Sequence, residues 1–178
     1  MDTSMKDNNN IKQIIEKAKD LKRQEKYEEA LEILEEIYKN NPDSEEIKKN
    51  LIDLMFDYGG YLNDFYTLEY EKAQKLFKRI TKLSPNNYRA HYNLGIAFFN
   101  LSKIEKAKKS FETALKIKPD YKYCLYNLGL IYEEAELYEE ALAYYEKALD
   151  IDPNFTYALT AQSQIRQKLD ELKRLKFN

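Results

Sequence analysis

The sequence has no tryptophan, one cysteine, one histidine, and only four glycines and four prolines in 178 residues. A lone cysteine, Cys124, cannot form an internal disulfide, which fits a reducing compartment. So few glycines and prolines leave little room for a turn-rich β fold. Because a zinc-type site needs several histidines and cysteines, we also expect no bound metal.

Long apolar runs are missing as well. Nowhere do 18 consecutive apolar residues occur, and the first ten residues, MDTSMKDNNN, contain no apolar signal-peptide core. Charged residues make up 34% of the chain, yet the net charge is only −2. A surface with both signs interspersed argues against a nucleic-acid binder that relies on a strong positive field. We therefore expect a soluble, cytoplasmic protein without a membrane or nucleic-acid partner.

What the sequence does contain is a 34-residue unit that occurs twice. Residues Tyr88–Tyr121 align with Lys122–Phe155, so that HYNLGIAFF matches LYNLGLIYE and Pro119 matches Pro153. Self-similarity at a period of 20 to 50 residues is typical of repeat architectures. Each unit has two stretches with apolar residues at steps of three and four, which predicts two helices. The short break between them predicts a helical hairpin.

One glycine falls inside the first predicted helix of each unit. Gly95 and Gly129 each cost about 1 kcal/mol relative to alanine in a helix interior, so an interaction must offset them. We expect the neighbouring helix to approach closely at these points. Ala107 and Ala141 are the small residues that we expect to face the glycines.

This pattern resembles the tetratricopeptide repeat family. In one unit the resemblance is carried by Leu94, Gly95, Phe98, Ala107, Phe111, Ala114 and Pro119. In the next it is carried by Leu128, Gly129, Tyr132, Ala141, Tyr145, Ala148 and Pro153. The resemblance implies an all-α fold, a right-handed α–α superhelix of stacked helical hairpins. In that family the first helix of each pair lines a concave groove.

Extending the same register along the chain predicts four hairpins and a C-terminal capping helix. The expected segments are a disordered tail over 1–10, repeats over 11–44, 45–87, 88–121 and 122–155, and the cap over 156–178. The second repeat carries a nine-residue insertion. In it Gly59-Gly60 predicts a helix stop. Ile52 stands where the other repeats have a small residue, so we expect its helix pair to pack more widely.

Removing the packing positions from the first helices leaves the candidate peptide-binding residues. They are Asn50, Arg89, Tyr92, Asn93, Ile96, Tyr123, Tyr126, Asn127, Leu130 and Tyr157. Aromatic residues dominate interface hot spots, which favours a binding role for this set. Core or inter-helix packing of about half of the aromatic members is the alternative. Tyr92 and Tyr126 are the leading groove candidates.

Three asparagines among the candidates recur at one repeat position. Asn50, Asn93 and Asn127 each carry an amide that donates and accepts, so a ladder of them could grip the backbone of an extended peptide. An amide that bonds only within its own scaffold explains the pattern equally well.

Charge along the proposed groove is uneven. Lys12, Lys19 and Lys22 belong to the first repeat, while Glu133 and Glu134 belong to the fourth. This favours a ligand with an acidic end and an apolar middle. Most charges on helix surfaces are only solvated, which is the alternative explanation.

We expect a non-catalytic adaptor or assembly scaffold that binds a peptide or partner protein and has no cofactor. His91 falls on a packing position, and Gly59-Gly60 lacks the lysine of a phosphate-binding loop. One alternative is a self-assembling structural protein, a homo-oligomer that uses its cap helix or the aromatic insertion Tyr58–Tyr66. A remoter alternative is an RNA-associated helical-repeat protein, which would need a basic inner surface over most repeats.

Members of the family that bind chaperones hold a C-terminal carboxylate with Lys, Asn, Asn, Lys and Arg side chains. The corresponding slots here contain Ile15, Lys19, Asn50, Arg89 and Asn93, and the next register contains Lys49, Asp53, Asn93, Tyr123 and Asn127. Because only Asn50 matches fully in the first register, we predict no micromolar binding of a peptide ending in EEVD. Isothermal titration calorimetry measures this, and a micromolar Kd would contradict it.

Overall fold

The computed structural model describes residues 3–64 and 67–176. Over these residues the chain forms no β-strand and nine helices: α1 (Thr3–Arg23), α2 (Tyr27–Asn40), α3 (Glu45–Leu62), α4 (Tyr70–Leu83), α5 (Tyr88–Asn100), α6 (Ile104–Ile117), α7 (Lys122–Glu134), α8 (Tyr138–Ile151) and α9 (Thr156–Lys176). The predicted all-α class, with four helical hairpins and a final helix, is confirmed.

The helices form two compact units, Met1–Pro85 and Asn86–Asn178. In the first unit, α1 packs on α2, α2 on α3, and α3 on α4. In the second unit, α5 packs on α6, α6 on α7, α7 on α8, and α8 on α9. Each helix therefore contacts mainly its neighbours in sequence, as expected for a repeat architecture.

Helix α1 begins at Thr3, although residues 1–10 were expected to be a disordered tail. Packing anchors the later turns of α1, where Ile15 and Ala18 are buried. Once a helix is nucleated, each further residue adds one backbone hydrogen bond, so it extends even through a polar sequence. Residues 1 and 2 lie outside the described part of the chain.

Each hairpin turn uses a residue other than glycine in the left-handed backbone region. These residues are Glu25, Leu68, Ser102 and Glu136, with φ between 55° and 59°. In each turn the backbone N–H of the following residue donates a hydrogen bond to a carbonyl of the preceding helix. The N–H of Lys103, for example, donates to the carbonyl of Phe98 at 2.8 Å. Such bonds satisfy carbonyl groups that the end of a helix leaves unpaired.

An aromatic ring of the second helix lies directly on a glycine of the first helix in both hairpins of the second unit. A Cβ atom at Gly95 would lie 2.5 Å from the Phe111 ring, and one at Gly129 would lie 2.4 Å from the Tyr145 ring. Both rings are fully buried. Only a residue without a Cβ permits this approach, which explains the glycines.

The expected partners of these glycines were therefore wrong. Ala107 and Ala141 are fully buried, but the nearest atoms to a Cβ at either glycine belong to the aromatic rings. A flat ring against bare helix backbone fills the space that we had assigned to two small residues in contact.

The second repeat uses the same contact at a shifted position. Gly59 lies beneath the Phe77 ring, and a Cβ there would lie 2.7 Å from it. Helix α3 has 18 residues where α5 has 13, and it continues through Gly59 and Gly60 to Leu62. The predicted helix stop at Gly59-Gly60 was wrong, because Gly59 is a packing residue in the helix interior.

The insertion lengthens α3 without rotating its packing face. Gly59 stands fourteen residues after the start of α3, whereas Gly95 stands seven residues after the start of α5. The seven extra residues correspond to nearly two helical turns. Gly59, and not Ile52, is therefore the counterpart of Gly95, and the expected wider packing at Ile52 was based on the wrong match.

Aromatic residues of the longer α3 pack against the start of α2. Tyr58 stacks on Tyr27 with ring centroids 5.1 Å apart, and Tyr61 lies 5.4 Å from the same ring. The Tyr58 hydroxyl donates to the Glu28 carboxylate at 2.7 Å. These described residues of the insertion therefore serve packing within the first unit.

Two neighbouring glycines of α3 provide a matched test of ring-on-glycine packing. Gly59→Ala should lower the free energy of unfolding by about 1–2 kcal/mol, because its methyl group collides with the buried Phe77 ring. Gly60→Ala should raise it by about 1 kcal/mol, because nothing lies within 4 Å and alanine is the better helix former. Urea denaturation followed by circular dichroism measures both. Changes of the same sign would contradict the assignment.

Candidate functional site

Nine of the ten candidate binding residues lie in the second unit, on three helices. Helix α5 carries Arg89, Tyr92, Asn93 and Ile96, helix α7 carries Tyr123, Tyr126, Asn127 and Leu130, and helix α9 carries Tyr157. Asn50 lies on α3 of the first unit. The site is therefore built from α5, α7 and α9, the helices that begin each structural repeat of this unit.

A first ring triplet consists of Tyr92, Tyr121 and Tyr123. The Tyr92 and Tyr121 rings are 5.1 Å apart and almost perpendicular, at 88°. Tyr123 lies 5.4 Å from Tyr121 and 6.4 Å from Tyr92. Edge-to-face contacts of this kind are favourable, since the positive ring edge meets the negative ring face.

A second ring triplet, Tyr126, Phe155 and Tyr157, repeats the first one 34 residues later in sequence. Tyr126 and Phe155 are 5.7 Å apart at 76°, and Phe155 and Tyr157 are 5.7 Å apart at 63°. Tyr126 and Tyr157 complete the triplet at 5.9 Å. A contact of 5.3 Å between Tyr123 and Phe155 joins the two triplets into one aromatic surface.

Sequence reasoning missed Tyr121 and Phe155, which each occupy the position just before a first helix. Both lie just outside the helices, whereas the predicted groove residues all lie within first helices or the cap. The repeat alignment could have found both, since Phe155 is the residue that matches Tyr121 one unit later.

The tyrosines differ in how far they face solvent. Tyr157 is 65% exposed and Tyr123 is 40% exposed, whereas Tyr92 is partly buried and also contacts Phe111. Burial raises the pKa of Tyr92, and it raises the pKa of Tyr121 to about 12. These phenols therefore stay uncharged at neutral pH. Tyr92 packs between helices, while Tyr123 and Tyr157 present accessible ring surface.

With Gly59 as the counterpart of Gly95, Asp57 and not Asn50 stands at the repeat position of Asn93 and Asn127. All three asparagines bond within their own helices. The side-chain amide of Asn50 donates to the carbonyl of Glu46 at 2.8 Å, and Asn93 and Asn127 donate to the carbonyls four residues earlier at 2.8 and 2.7 Å. Asn127 is also buried, at 9% exposure, and approaches the Tyr92 hydroxyl at 3.5 Å. One donor of each amide is thus occupied by its own scaffold.

A cavity of about 540 Å³ opens between α7 and α9 beside the second ring triplet. Its lining consists of Tyr126, Leu130, Glu133, Thr156, Tyr157, Thr160, Ala161 and Gln164. The carboxylate of Glu133 accepts a hydrogen bond from the phenol of Tyr145. Burial first, and then this bond, raises the pKa of Tyr145. The cavity therefore combines aromatic and apolar walls with one negative charge.

The first unit has a smaller cavity of about 220 Å³ between α1 and α3, next to Asn50. Its cationic side chains are already engaged. Lys19 pairs with Glu16 at 2.7 Å, and Lys22 pairs with Asp57. Surface pairs of this kind reduce the positive field that was expected to attract an acidic ligand.

Neither the thiol of Cys124 nor the imidazole of His91 lines the cavity between α7 and α9. Cys124 is fully buried, and burial raises the pKa of its thiol to about 12, so it is not a thiolate at neutral pH. His91 is partly buried on α5. In the part of the chain that the structure describes, no three His, Cys, Asp or Glu side chains gather as metal ligands.

None of the helices in residues 3–64 and 67–176 is long and apolar enough to cross a membrane.

Family models match three segments of the chain. Residues 88–121 and 123–155 match a model described as tetratricopeptide repeat, and residues 16–44 match a second model with the same description. Together these segments cover more than half of the chain. No curated protein matches the sequence.

Solved structures with the same fold include three that cover much of this chain. The crystal structure of MamA has a TM-score of 0.68 at 21% identity, and the match covers 86% of this chain and 79% of the MamA chain. The tetratricopeptide repeat domain of Sgt2 from Aspergillus fumigatus has a TM-score of 0.62 at 24% identity. The match covers 69% of this chain and 82% of the Sgt2 chain. The first tetratricopeptide repeat domain of Spaghetti (RPAP3), bound to the HSP90 peptide SRMEEVD, has a TM-score of 0.61 at 23% identity. The match covers 67% of this chain and 93% of the RPAP3 chain.

Proposed function

Because this chain belongs to the tetratricopeptide repeat family, we propose that it is a non-catalytic adaptor or assembly scaffold that binds a segment of a partner protein on α5, α7 and α9. The observation that carries the proposal is the pair of ring triplets, which recur with the repeat and leave Tyr123 and Tyr157 exposed. The repeats are 11–44, 45–87, 88–121 and 122–155, and 156–178 is the cap. RPAP3, which has the same fold, holds a peptide, and this supports a peptide segment as the ligand.

The ring triplets suit binding because tyrosine rings offer large, rigid and amphipathic contact area at low entropic cost. Their mutual edge-to-face contacts hold them in place before a ligand arrives, which further lowers the cost of association. Tyr123 and Tyr157 would contact the segment directly. Of the two leading candidates from sequence, Tyr92 would mainly support them from below, together with Ile96, whereas Tyr126 would contact the segment in the cavity that it lines with Leu130.

The asparagines would have a mixed role. Since one amide N–H of Asn93 is bound to the Arg89 carbonyl, its other N–H and its oxygen are the groups that would meet a peptide backbone. Asn127 is buried, so its contribution would be to fix the local packing of Tyr92 and Tyr123. We do not assign the segment an EEVD end, because the pairing of Lys19 and Lys22 disfavours a carboxylate clamp in the first unit.

Self-assembly is the second candidate, and one observation favours it. Helix α9 exposes Leu159, Leu172 and Leu175, and these could contact another copy of the chain. The described part of the aromatic insertion favours self-assembly less, because Tyr58 is buried against Tyr27.

RNA binding is disfavoured, because the cavity between α7 and α9 carries a negative charge. We further propose a cytoplasmic location, which the single thiol favours.

Two exposed residues of α9 test whether the ring triplets form the binding surface. Tyr157→Ser should weaken partner retention at least tenfold, because truncating an exposed aromatic anchor typically removes that much affinity. Leu159→Ser, on the same helix but outside the cavity lining, should leave retention within twofold. Affinity capture from cell extract, quantified by mass spectrometry, measures both.

Circular dichroism melting should show that both variants fold like the wild type. If Leu159→Ser loses the partners while Tyr157→Ser retains them, the binding surface is not the one formed by the ring triplets, and the proposal is wrong.

A further inference from the structure

The cavity between α7 and α9 carries a carboxylate that lacks an ion-pair partner within the described chain. Glu133 lines the cavity with Tyr126, Leu130 and Tyr157, and no lysine or arginine lines it. Its carboxylate accepts from the neutral Tyr145 phenol, which leaves the negative charge in place. Lys168 of α9 lies over the Tyr138 ring, 4.8 Å from its centre.

Elsewhere in the second unit, aromatic rings are covered by cations of the chain itself. Lys118 lies 5.1 Å from the centre of the Tyr88 ring, and Lys122 lies 4.8 Å from Phe155 and 5.3 Å from Tyr123. Such contacts are attractive because the ring face carries partial negative charge. Lys122 therefore provides a cation both to Tyr123 of the first ring triplet and to Phe155, the ring that joins the two triplets.

The second ring triplet lacks the equivalent residue at its exposed end. The position that matches Lys122 one repeat later is Thr156, a residue of the cavity lining. Among the described residues, none places a cation over Tyr126 or Tyr157. The repeat thus provides the aromatic faces and a carboxylate at this point, but not the positive charge.

We propose that this cavity takes a lysine or arginine side chain of the bound partner segment, an inference that rests on the function proposed above. The cationic head lies against Tyr126 and Tyr157 and pairs with Glu133, and the alkyl stem lies along Leu130. Cation–π attraction, a charge-assisted hydrogen bond and burial of the stem all favour this occupant.

Other occupants fit less well. An acidic side chain would be repelled by Glu133 and would find no cation in the lining. An apolar side chain would contact Leu130 and Ala161, but it would cover the Glu133 charge without pairing it, which is costly. A basic residue beside an apolar one is therefore the motif that matches the surface.

Selection from a random heptapeptide display library tests the inference with the full chain as bait. We expect the wild type to enrich lysine or arginine at one position at least fivefold over its library frequency, next to an apolar position. Glu133→Gln, which keeps the shape and an acceptor for Tyr145, should reduce that enrichment to below twofold and keep the apolar preference. Glu134→Gln is the matched control, because this neighbouring glutamate does not line the cavity, and it should enrich like the wild type.

The outcomes separate this inference from the function on which it rests. If the wild type enriches an apolar or aromatic motif without a basic position, or if Glu133→Gln keeps the basic preference, the inference is overturned and the binding surface stands. If the wild type enriches no sequence at all, both are overturned.

Discussion

The contact on which the hairpins depend is an aromatic ring lying on a helix position that has no Cβ. Phe111 on Gly95 and Tyr145 on Gly129 show it in the second unit, and Phe77 on Gly59 shows it in the first. The glycine lowers helix propensity, but it allows a fully buried ring to rest on backbone, with large apolar area removed from water. In the first hairpin the matching positions are occupied by Ala18 and Leu34, and both are buried.

This contact also determines which face of each first helix remains available. The Tyr145 ring that lies on Gly129 also contacts the Tyr126 ring at 5.7 Å, and both Tyr126 and Tyr123 pack on Phe155. The result is an aromatic surface that recurs because the repeat recurs. Its interruption at Thr156, where the internal cation is missing, follows equally from sequence and makes the two triplets chemically different.

The fold was predictable because the same apolar pattern occurs in several repeats. Helix pairs, turns and the family resemblance all follow from apolar spacing and the two matching units. The ring-on-glycine contact was not predictable, since spacing alone does not tell which residue faces Gly95. The role of Gly59 was missed because a glycine pair usually ends a helix, and only its position over Phe77 shows that seven added residues preserve the packing face. In the candidate site, the helical positions of Tyr123 and Tyr157 were foreseen, and the bond of each asparagine to its own helix was one of the two alternatives that the sequence left open.

The most direct test of a binding surface on α5, α7 and α9 is a nuclear magnetic resonance spectrum of the protein with ¹³C-labelled tyrosine rings, recorded with and without a selected peptide. Our account predicts saturable shifts for Tyr123, Tyr126 and Tyr157, with the Tyr138 and Tyr144 signals of α8 unchanged. Shifts confined to the tyrosines of α8, with the ring triplets unaffected, would contradict it.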